Sequence, residues 1–416
     1  MSDAKTASAE APHPVASRPP APSGRGFEAI DIRPVSGIGD FLAFCRAPRL
    51  LYAGQKGFAP SLDAERWTLY AHKLNPHYKR VHSQAFLARR DGKIVGRIEA
   101  QIYKDILPTG ASPAQFGTLD AIDDVAVVRA LTGAAEAWLR AKGATIVNGP
   151  FSPSVNSESG LLVEGFDAVP MIFMPWHPPW LGRHLEACGY EKAKDLISYR
   201  YDITDDDRTR PAVLQSRPEW QKRLRFRPLK LKELKSEAQI MVDLFNDGWA
   251  GNWGFAPMGL DELMSTADAL KFVITEDYGF VTELDGEPVA FGIVIPNLHE
   301  ATADLGGRLL PFGLPKVVSR IKKKNYKSAR LALFGLKRKL HRSATGGVVV
   351  LAMIEELRLR SRRVDLDHVE FGWVLEDNAG MRRPIEMSGA RIDKVHRIYG
   401  KRLTAAQDLK SEGQAA

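Results

Sequence analysis

Residues 185–201 read LEACGYEKAKDLISYRY, and residues 385–400 read IEMSGARIDKVHRIYG. Each stretch joins a helix end, a Gly-containing turn and an alternating strand, at an offset of 200 positions (385 minus 185). The echo extends upstream of both copies. FLARRDGKIVGRIEAQI at 86–102 gives two strand-like runs joined across Arg90-Asp91-Gly92-Lys93, and FVTELDGEPVAFGIVI at 280–295 repeats that hairpin around Asp285-Gly286. Asp-Gly between alternating apolar residues is a strong short-range hairpin signal. DVAVVRALTGAAEAWLRAKG at 124–143 has the period of a helix and is matched by GVVVLAMIEELRLRSRR at 347–363. ATIVNGPF and HVEFGWVLEDN then follow as buried strands. A period this long is no solenoid repeat; it predicts a duplicated α/β domain.

The expected bounds are a disordered tail at 1–26, rich in Ala, Pro and Ser, and a first domain at 27–205. A charged linker at 206–225, a second domain at 226–405 and a disordered C-terminus at 406–416 complete the chain. With 416 residues, 44% of them hydrophobic, there is enough apolar material for two cores. Fifty-eight Lys and Arg against fifty Asp and Glu leave a formal charge of +8, which favours an acidic ligand or surface. Cys45 and Cys188 form no disulfide framework and read as core residues of a cytoplasmic protein. No apolar run approaches the ~20 residues that span a bilayer. No secretory signal pattern opens the chain. The expected location is the cytoplasm, at most peripheral on the inner face of the cytoplasmic membrane.

The element order (strand, one or two helices, hairpin, strand, helix, strand, helix, strand) resembles the fold of the GCN5-related N-acetyltransferase (GNAT) superfamily, used twice. NGPFSPSVNSESGLLVEGFD at 148–167, NDGWAGNWGFAP at 246–257 and FGWVLEDNAGMRR at 371–383 resemble a branch of N-acyltransferases that includes bacterial ceramide synthase. The fold class expected is therefore α/β: two tandem GNAT-like domains with mixed sheets. The resemblance implies acyl-CoA as co-substrate, no metal, and a long-chain amine or sphingoid base as acceptor. An acyl carrier protein stays open as the alternative donor.

In this superfamily the pantetheine arm lies where two parallel strands splay, and the pyrophosphate rests at the following helix N-terminus. Carried over, the splayed strands are SARLALFG at 328–335 and HVEFGWVL at 368–375, placing Trp373 and Val374 beside the thioester. The phosphate loop is KRKLHRSATGG at 337–347, with Arg338, Arg342, Ser343, Thr345, Gly346 and Gly347 as donors or close-approach positions. Its glycines are adjacent rather than spaced as in the superfamily, and a solvated basic turn is the plainer reading. The corresponding first-domain segment, ASPAQFGTLDAIDDVAVV at 111–128, is acidic, so the first domain is the poorer donor site.

Amine attack on a thioester needs a neutral amine, so a proton acceptor is required. Glu376, at a strand end, is the candidate; capping of the next helix is the competing reading. Asn378 either caps that helix or contacts the pantetheine. The helix AGMRRPIEM lacks the Tyr that protonates the leaving thiolate in many relatives, leaving Tyr399 as a substitute or a core residue. Trp249, Asn252 and Trp253 concentrate aromatic area on a Gly-rich loop, costly unless something packs there. Together with Asn148, Asn156 and His177 of MPWHPPW they are the expected acceptor wall.

The segment 315–342 holds eleven Lys and Arg and no acid, directly after the apolar GGRLLPFGLP at 306–315. That pairing suits an anionic membrane surface. A basic stripe also suits nucleic acid, but no zinc spacing, helix-turn-helix or RNA-binding signature accompanies it, and no nucleic-acid partner is expected. Two further readings stay open: aminoacyl or peptidyl transfer from aminoacyl-tRNA, and a noncatalytic acyl-CoA or lipid binder.

Overall fold

The computed structural model describes residues 29–105, 112–203 and 218–403. The expected tails at 1–26 and 406–416 and residues 206–217 of the expected linker lie outside them. In the first repeat, β1 (Asp31–Pro34) leads to α1 (Gly37–Leu51), α2 (Asp63–Tyr70) and the single turn α3 (His77–Arg80). The hairpin β2 (Val81–Arg90) and β3 (Lys93–Tyr103), then β4 (Ala114–Ala121), α4 (Val125–Arg140) and β5 (Ile146–Gly149) follow. Short strands β6 (Phe151–Ser152), β7 (Glu158–Ser159) and β8 (Leu161–Glu164) precede α5 (Trp180–Ala187) and β9 (Glu191–Asp202).

The second repeat opens with α6 (Pro218–Arg223), β10 (Leu224–Pro228), α7 (Leu234–Trp249) and α8 (Leu260–Leu270). The hairpin β11 (Gly279–Leu284) and β12 (Glu287–Pro296) is followed by α9 (His299–Thr302), α10 (Gly313–Lys323) and β13 (Ser328–Leu336). It closes with α11 (Ala344–Arg363), β14 (His368–Leu375), α12 (Ala379–Met387) and β15 (Arg391–Arg402). Both Asp-Gly turns have positive φ at each residue, 51° and 74° at Asp91-Gly92 and 51° and 86° at Asp285-Gly286. That conformation matches the twist of the flanking strands.

The two repeats share one mixed sheet in the order β1-β2-β3-β4-β5-β15-β9-β14-β13-β12-β11-β10, with β8 also on β15. The final strands are exchanged: β15 runs antiparallel to β5 of the first repeat, and β9 antiparallel to β14 of the second. Between them β9 and β15 pair from Arg391↔Arg200 to Gly400↔Glu191. Leu196 sits directly opposite its repeat counterpart His396, so a local two-fold axis passes through that pair. The exchange gives matched tyrosine contacts. Tyr399 Oη donates to Glu186 at 3.2 Å in the first repeat, and Tyr199 Oη donates to Glu386 at 2.8 Å in the second.

Separate apolar cores fill the faces. Val349, Met353, Val369, Phe371 and Ile385 pack α11 and α12 on one face of the second repeat, and Met241, Phe245, Phe291 and Ile293 pack α7 on the other. A smaller cluster with Tyr78, Phe151, Val155, Ala256 and Leu375 joins the repeats. α11 starts where Ser343 Oγ accepts the Gly346 amide at 2.9 Å, a side-chain N-cap.

Candidate functional site: a gap between parallel strands

β13 and β14 pair in parallel only from Ser328↔His368 to Leu331↔Phe371. Beyond Phe371, β14 parts from β13 and stays paired with β9, Val374 opposite Ile197, while β13 continues along β12 to Leu336. A gap opens between two central strands. Leu331, Ala332, Leu333 and Phe334, which an intact sheet would cover, are half-exposed, as are Gly372 and Trp373 across from them. Ala332 also falls outside the register with β12, which passes from Ile293↔Leu333 to Val294↔Leu331.

Trp249, at the end of α7, spans the gap. Its Nε1 donates to the Phe334 carbonyl of β13 at 2.9 Å, and its ring meets Trp373 of β14 edge-on at 5.5 Å. Phe245 stacks behind it at 5.1 Å. Trp253 packs with Trp373 in the cluster between the repeats. Asn252 forms the turn after α7, its amide donating to the Trp249 carbonyl at 2.8 Å. The aromatic loop and the splayed strands thus form one wall.

The mouth is basic. Arg338 and Arg342 are exposed around the N-terminus of α11, and Thr345 and Gly347 are half-exposed on its first turn. The first two amides of the helix, at Ala344 and Thr345, have no intrahelical acceptor and carry the positive end of its dipole. Gly346 is a packing residue: a Cβ there would lie 2.0 Å from the Leu340 carbonyl oxygen. At Gly347 a Cβ would meet nothing within 4 Å.

The matching gap in the first repeat is filled by the chain itself. β4 and β5 pair only at Gln115↔Asn148, Thr118 N donates to Ser152 Oγ at 2.8 Å, and a Cβ on Gly117 would lie 1.5 Å from the Phe151 carbonyl oxygen. The N-terminus of α4 carries Asp124, whose carboxyl is held below its usual range by a 2.7 Å hydrogen bond from Arg90. Its charge opposes an anionic ligand.

The remaining sequence candidates occupy other places. Glu376 accepts from Lys192 Nζ at 2.6 Å and from the Asp195 amide at 3.0 Å, so both its oxygens are engaged with β9. Asn378 caps α12, accepting from the Met381 amide at 3.2 Å. Val374 packs into the core beneath α11. Tyr399, carried to the first repeat by the strand exchange, is buried against Glu186, and burial raises its pKa to about 12. Asn148 is buried on β5; in the amide orientation that satisfies it, it donates to the Val147 carbonyl and accepts from Ser112 N, each at 3.1 Å. Asn156 Nδ2 reaches the Ala256 carbonyl and Glu262 Oε1, both at 3.4 Å, across the repeats. His177 is buried under α1 and α2, its Nδ1 accepting from the Leu162 amide at 3.2 Å.

Sequence reasoning missed a row of buried charges at the root of the gap. Arg330 of β13, Glu370 of β14 and Lys394 of β15 are each almost fully buried, Arg330 and Lys394 bonded to carbonyls of the 169–173 segment. Lys394 forms an ion pair with Glu370, and Arg330 Nε lies 3.9 Å from the same carboxylate. Arg330 also donates to the Ile172 carbonyl at 3.2 Å and the Gly372 carbonyl at 3.0 Å. A usable signal was present for two of them: Arg330 and Glu370 each stand inside a largely apolar strand, whereas Lys394 is hidden in a strand rich in charges. Among the described residues no group of three or more His, Cys, Asp or Glu could hold a metal ion. None of the described helices is long and apolar enough to cross a membrane.

A parallel-strand gap flanked by a helix N-terminus, twice built and once kept open, defines a tandem GNAT-fold acyltransferase. Solved structures agree on the fold. A tandem GNAT protein from the clavulanic acid biosynthesis pathway covers 90% of this chain over 99% of its own, with TM-score 0.50 and 14% identity. A GCN5-related N-acetyltransferase from Sphaerobacter thermophilus covers 89% of this chain over 96% of its own, with TM-score 0.51 and 13% identity. No family model matches the chain. Two full-length relatives do. Protein YghO of Escherichia coli (strain K12) is 39% identical over 367 residues, 88% of this chain and 93% of that protein. Bacterial ceramide synthase of Caulobacter vibrioides is 38% identical over 378 residues, 90% of this chain and 98% of that protein. The chain belongs to the N-acyltransferase family of these two proteins.

Proposed function

We propose that this enzyme transfers a long-chain acyl group from acyl-CoA to the amine of a sphingoid base, forming a ceramide-type amide. The observation that carries the reading is the open gap of the second repeat with its basic helix mouth, set against the filled, acid-capped gap of the first. The name of the Caulobacter relative supports the acceptor class.

The amine nitrogen attacks the thioester carbonyl carbon, the C–S bond breaks, the nitrogen loses a proton and the CoA thiolate gains one. The backbone at Ala332, outside both strand registers, is the position left to hydrogen-bond the developing oxyanion. Trp249 and Trp373 supply apolar surface beside it, and each methylene buried is worth roughly 0.8 kcal/mol. For Glu376, the pairing with Lys192 and the Asp195 amide supports a role as a brace for the end of β14 over that of an open proton acceptor.

The test is conversion by purified protein of a long-chain acyl-CoA and a long-chain 2-amino-1,3-diol, read as amide by mass and as one free thiol per amide. Failure to form amide with any long-chain amine, while the donor still binds, overturns the reading. In the same assay Glu376→Gln is expected to slow turnover by less than about tenfold; a general base would cost roughly 10²–10⁴-fold, relieved at high pH.

The acceptor's site of capture is proposed to be an anionic membrane surface. Leu310 and Phe312 are 77% and 75% exposed, and Leu314 and Val318 extend the same apolar patch along α10. Lys316, Lys322, Lys323 and Lys324 flank it, all exposed. Cations near an anionic leaflet contribute about 1 kcal/mol each before screening. Reversible co-sedimentation with anionic vesicles is expected, weakened by salt and by Lys322, Lys323 and Lys324→Gln. Leu310, Phe312 and Leu314→Ser should weaken it without loss of acyl-CoA binding. Leu309 is half-buried and is left intact. Indifference of the wild type to vesicle charge and salt would reject the surface.

A further inference from the structure

The filled gap of the first repeat borders a partly open polar cavity that the donor site does not use. Its volume is about 80 Å³, several times the ~10–15 Å³ that one water requires. It lies between α1 and α2 on one side and β4, β7 and the 170–177 loop on the other, with His299 of the second repeat completing the wall.

Its charges are already matched. Arg66 grips Glu158 with two hydrogen bonds of 2.9 and 2.6 Å, and Arg97 Nε donates to Asp120 at 2.7 Å. Arg49 also lies 3.3 Å from Asp63, so an added anion would face three carboxylates, each already beside a guanidinium. Apart from Arg49 Nε, the unmatched groups are neutral. Thr118 is 2% exposed, yet its Oγ1 has no hydrogen-bond partner among the described residues. His299 Nδ1 is likewise unpartnered. His177 accepts at Nδ1 from the Leu162 amide, so the neutral ring carries its proton on Nε2 as a donor. Burial keeps both imidazoles neutral, His299 down to about 4. A buried hydroxyl left unpaired keeps its full desolvation penalty. Thr118 also holds a β-branched residue at φ 50°, a conformation that persists only where the surroundings enforce it.

The cavity also touches the donor gap. Phe173 lines it, and the Phe173 carbonyl accepts from Arg330 Nη1 at 3.4 Å. The other Nη of Arg330 donates to Gly372, where β14 leaves β13. Arg330 thus links a residue of the cavity wall to the strand that borders the gap.

We propose that this cavity receives the hydroxyl-bearing end of the acceptor's polar head, one or more hydroxyls neighbouring an amine that stays on the gap side, with Thr118 Oγ1 and His177 Nε2 as its hydrogen-bond partners. The assignment rests on the acyl-transfer reading and deepens it: the first repeat selects the head, the second holds the donor. Spare lone pairs on Glu158 and Asp120 suit hydroxyl protons, and the Nε2–H of His177 suits a hydroxyl oxygen. A plain alkylamine would leave these partners unmatched.

Thr118→Val is the decisive variant, because removing an unpartnered hydroxyl breaks no internal hydrogen bond. Its melting temperature should equal or exceed that of the wild type. The first readout needs no turnover: 2-amino-1,3-propanediol should raise the melting temperature of the full wild-type chain and of Thr118→Ser, but not of Thr118→Val. The second is the KM ratio between a long-chain 2-amino-1,3-diol and the alkylamine of equal length. The wild type should prefer the diol by about tenfold or more, as one lost hydrogen bond implies. Thr118→Ser should keep that preference and Thr118→Val should lose most of it. Equal KM values in the wild type, or probe binding and preference that survive in Thr118→Val, overturn the assignment while leaving acyl transfer intact. Probe binding that depends on Thr118 in a protein that acylates neither amine keeps the cavity and sinks the acyl-transfer reading instead.

Discussion

Lys394→Met is expected to destabilise the fold by about 3–5 kcal/mol, the cost of leaving a buried partner charge uncompensated. Glu370 is 1% exposed and Lys394 4%, so water cannot take over the lost pairing. After the change Glu370 retains only Arg330, whose Nε stands 3.9 Å away. Lys394 also donates to the Val169 carbonyl at 3.1 Å, and so ties the segment before the 170–177 loop to the sheet. The variant should therefore expose that loop to proteolysis as well as lower the denaturant midpoint. Adding Glu370→Gln should return part of the loss, because the orphaned charge goes too while Arg330 keeps its carbonyl partners. Denaturant unfolding of the wild type, both single variants and the double variant measures the coupling. A loss below about 1 kcal/mol for Lys394→Met would mean that the pair is hydrated and that the row of charges contributes little to holding the repeats together.

That row shows where a sequence stops being legible. The duplication was readable because β9 and β15 carry the same alternation after the same helix end, and the Asp-Gly hairpins because two residues specify the turn. The exchange of the last strands was not readable. Both are twelve residues long and covered on both faces, and nothing in their pattern says which neighbour each will choose. This is why Tyr399, second-repeat by chain order, lies against Glu186 of the first. The basic residues before a Gly-rich helix start could be read from the sequence, and the tryptophan loop from aromatic area that needs a partner. The polar cavity could not. Cys45, Arg66, Arg97, Thr118, Glu158 and His299 come from separate segments, and each alone reads as an ordinary residue. Glu376 was visible as a carboxylate at a strand end, but its partner Lys192 is 184 positions away, beyond any local pattern.

The adjacent glycines of the α11 mouth allow a test in which stability and binding move in opposite directions. Gly347→Glu should stabilise the unliganded protein. Replacing Gly within a helix gains about 0.8–1.0 kcal/mol, and an acid in the first turn adds roughly 0.3–1 kcal/mol against the dipole. No steric cost offsets this, since a Cβ at Gly347 has nothing within 4 Å. The same carboxylate would meet the donor's pyrophosphate. Two like charges about 5 Å apart repel by about 3 kcal/mol at an effective dielectric of about 20. Acyl-CoA affinity should therefore fall by about a hundredfold at low salt and by less at high salt. Gly346→Ala is the opposing control. Its Cβ would lie 2.0 Å from the Leu340 carbonyl oxygen, so the loop must shift and the protein should lose stability, with donor binding lost as a consequence. Melting temperature and CoA affinity, measured together for both variants, separate a phosphate site from a packing turn. A Gly347→Glu protein that is more stable and binds CoA as tightly as the wild type would remove the phosphate from this loop, and with it the assignment of the donor to the second repeat.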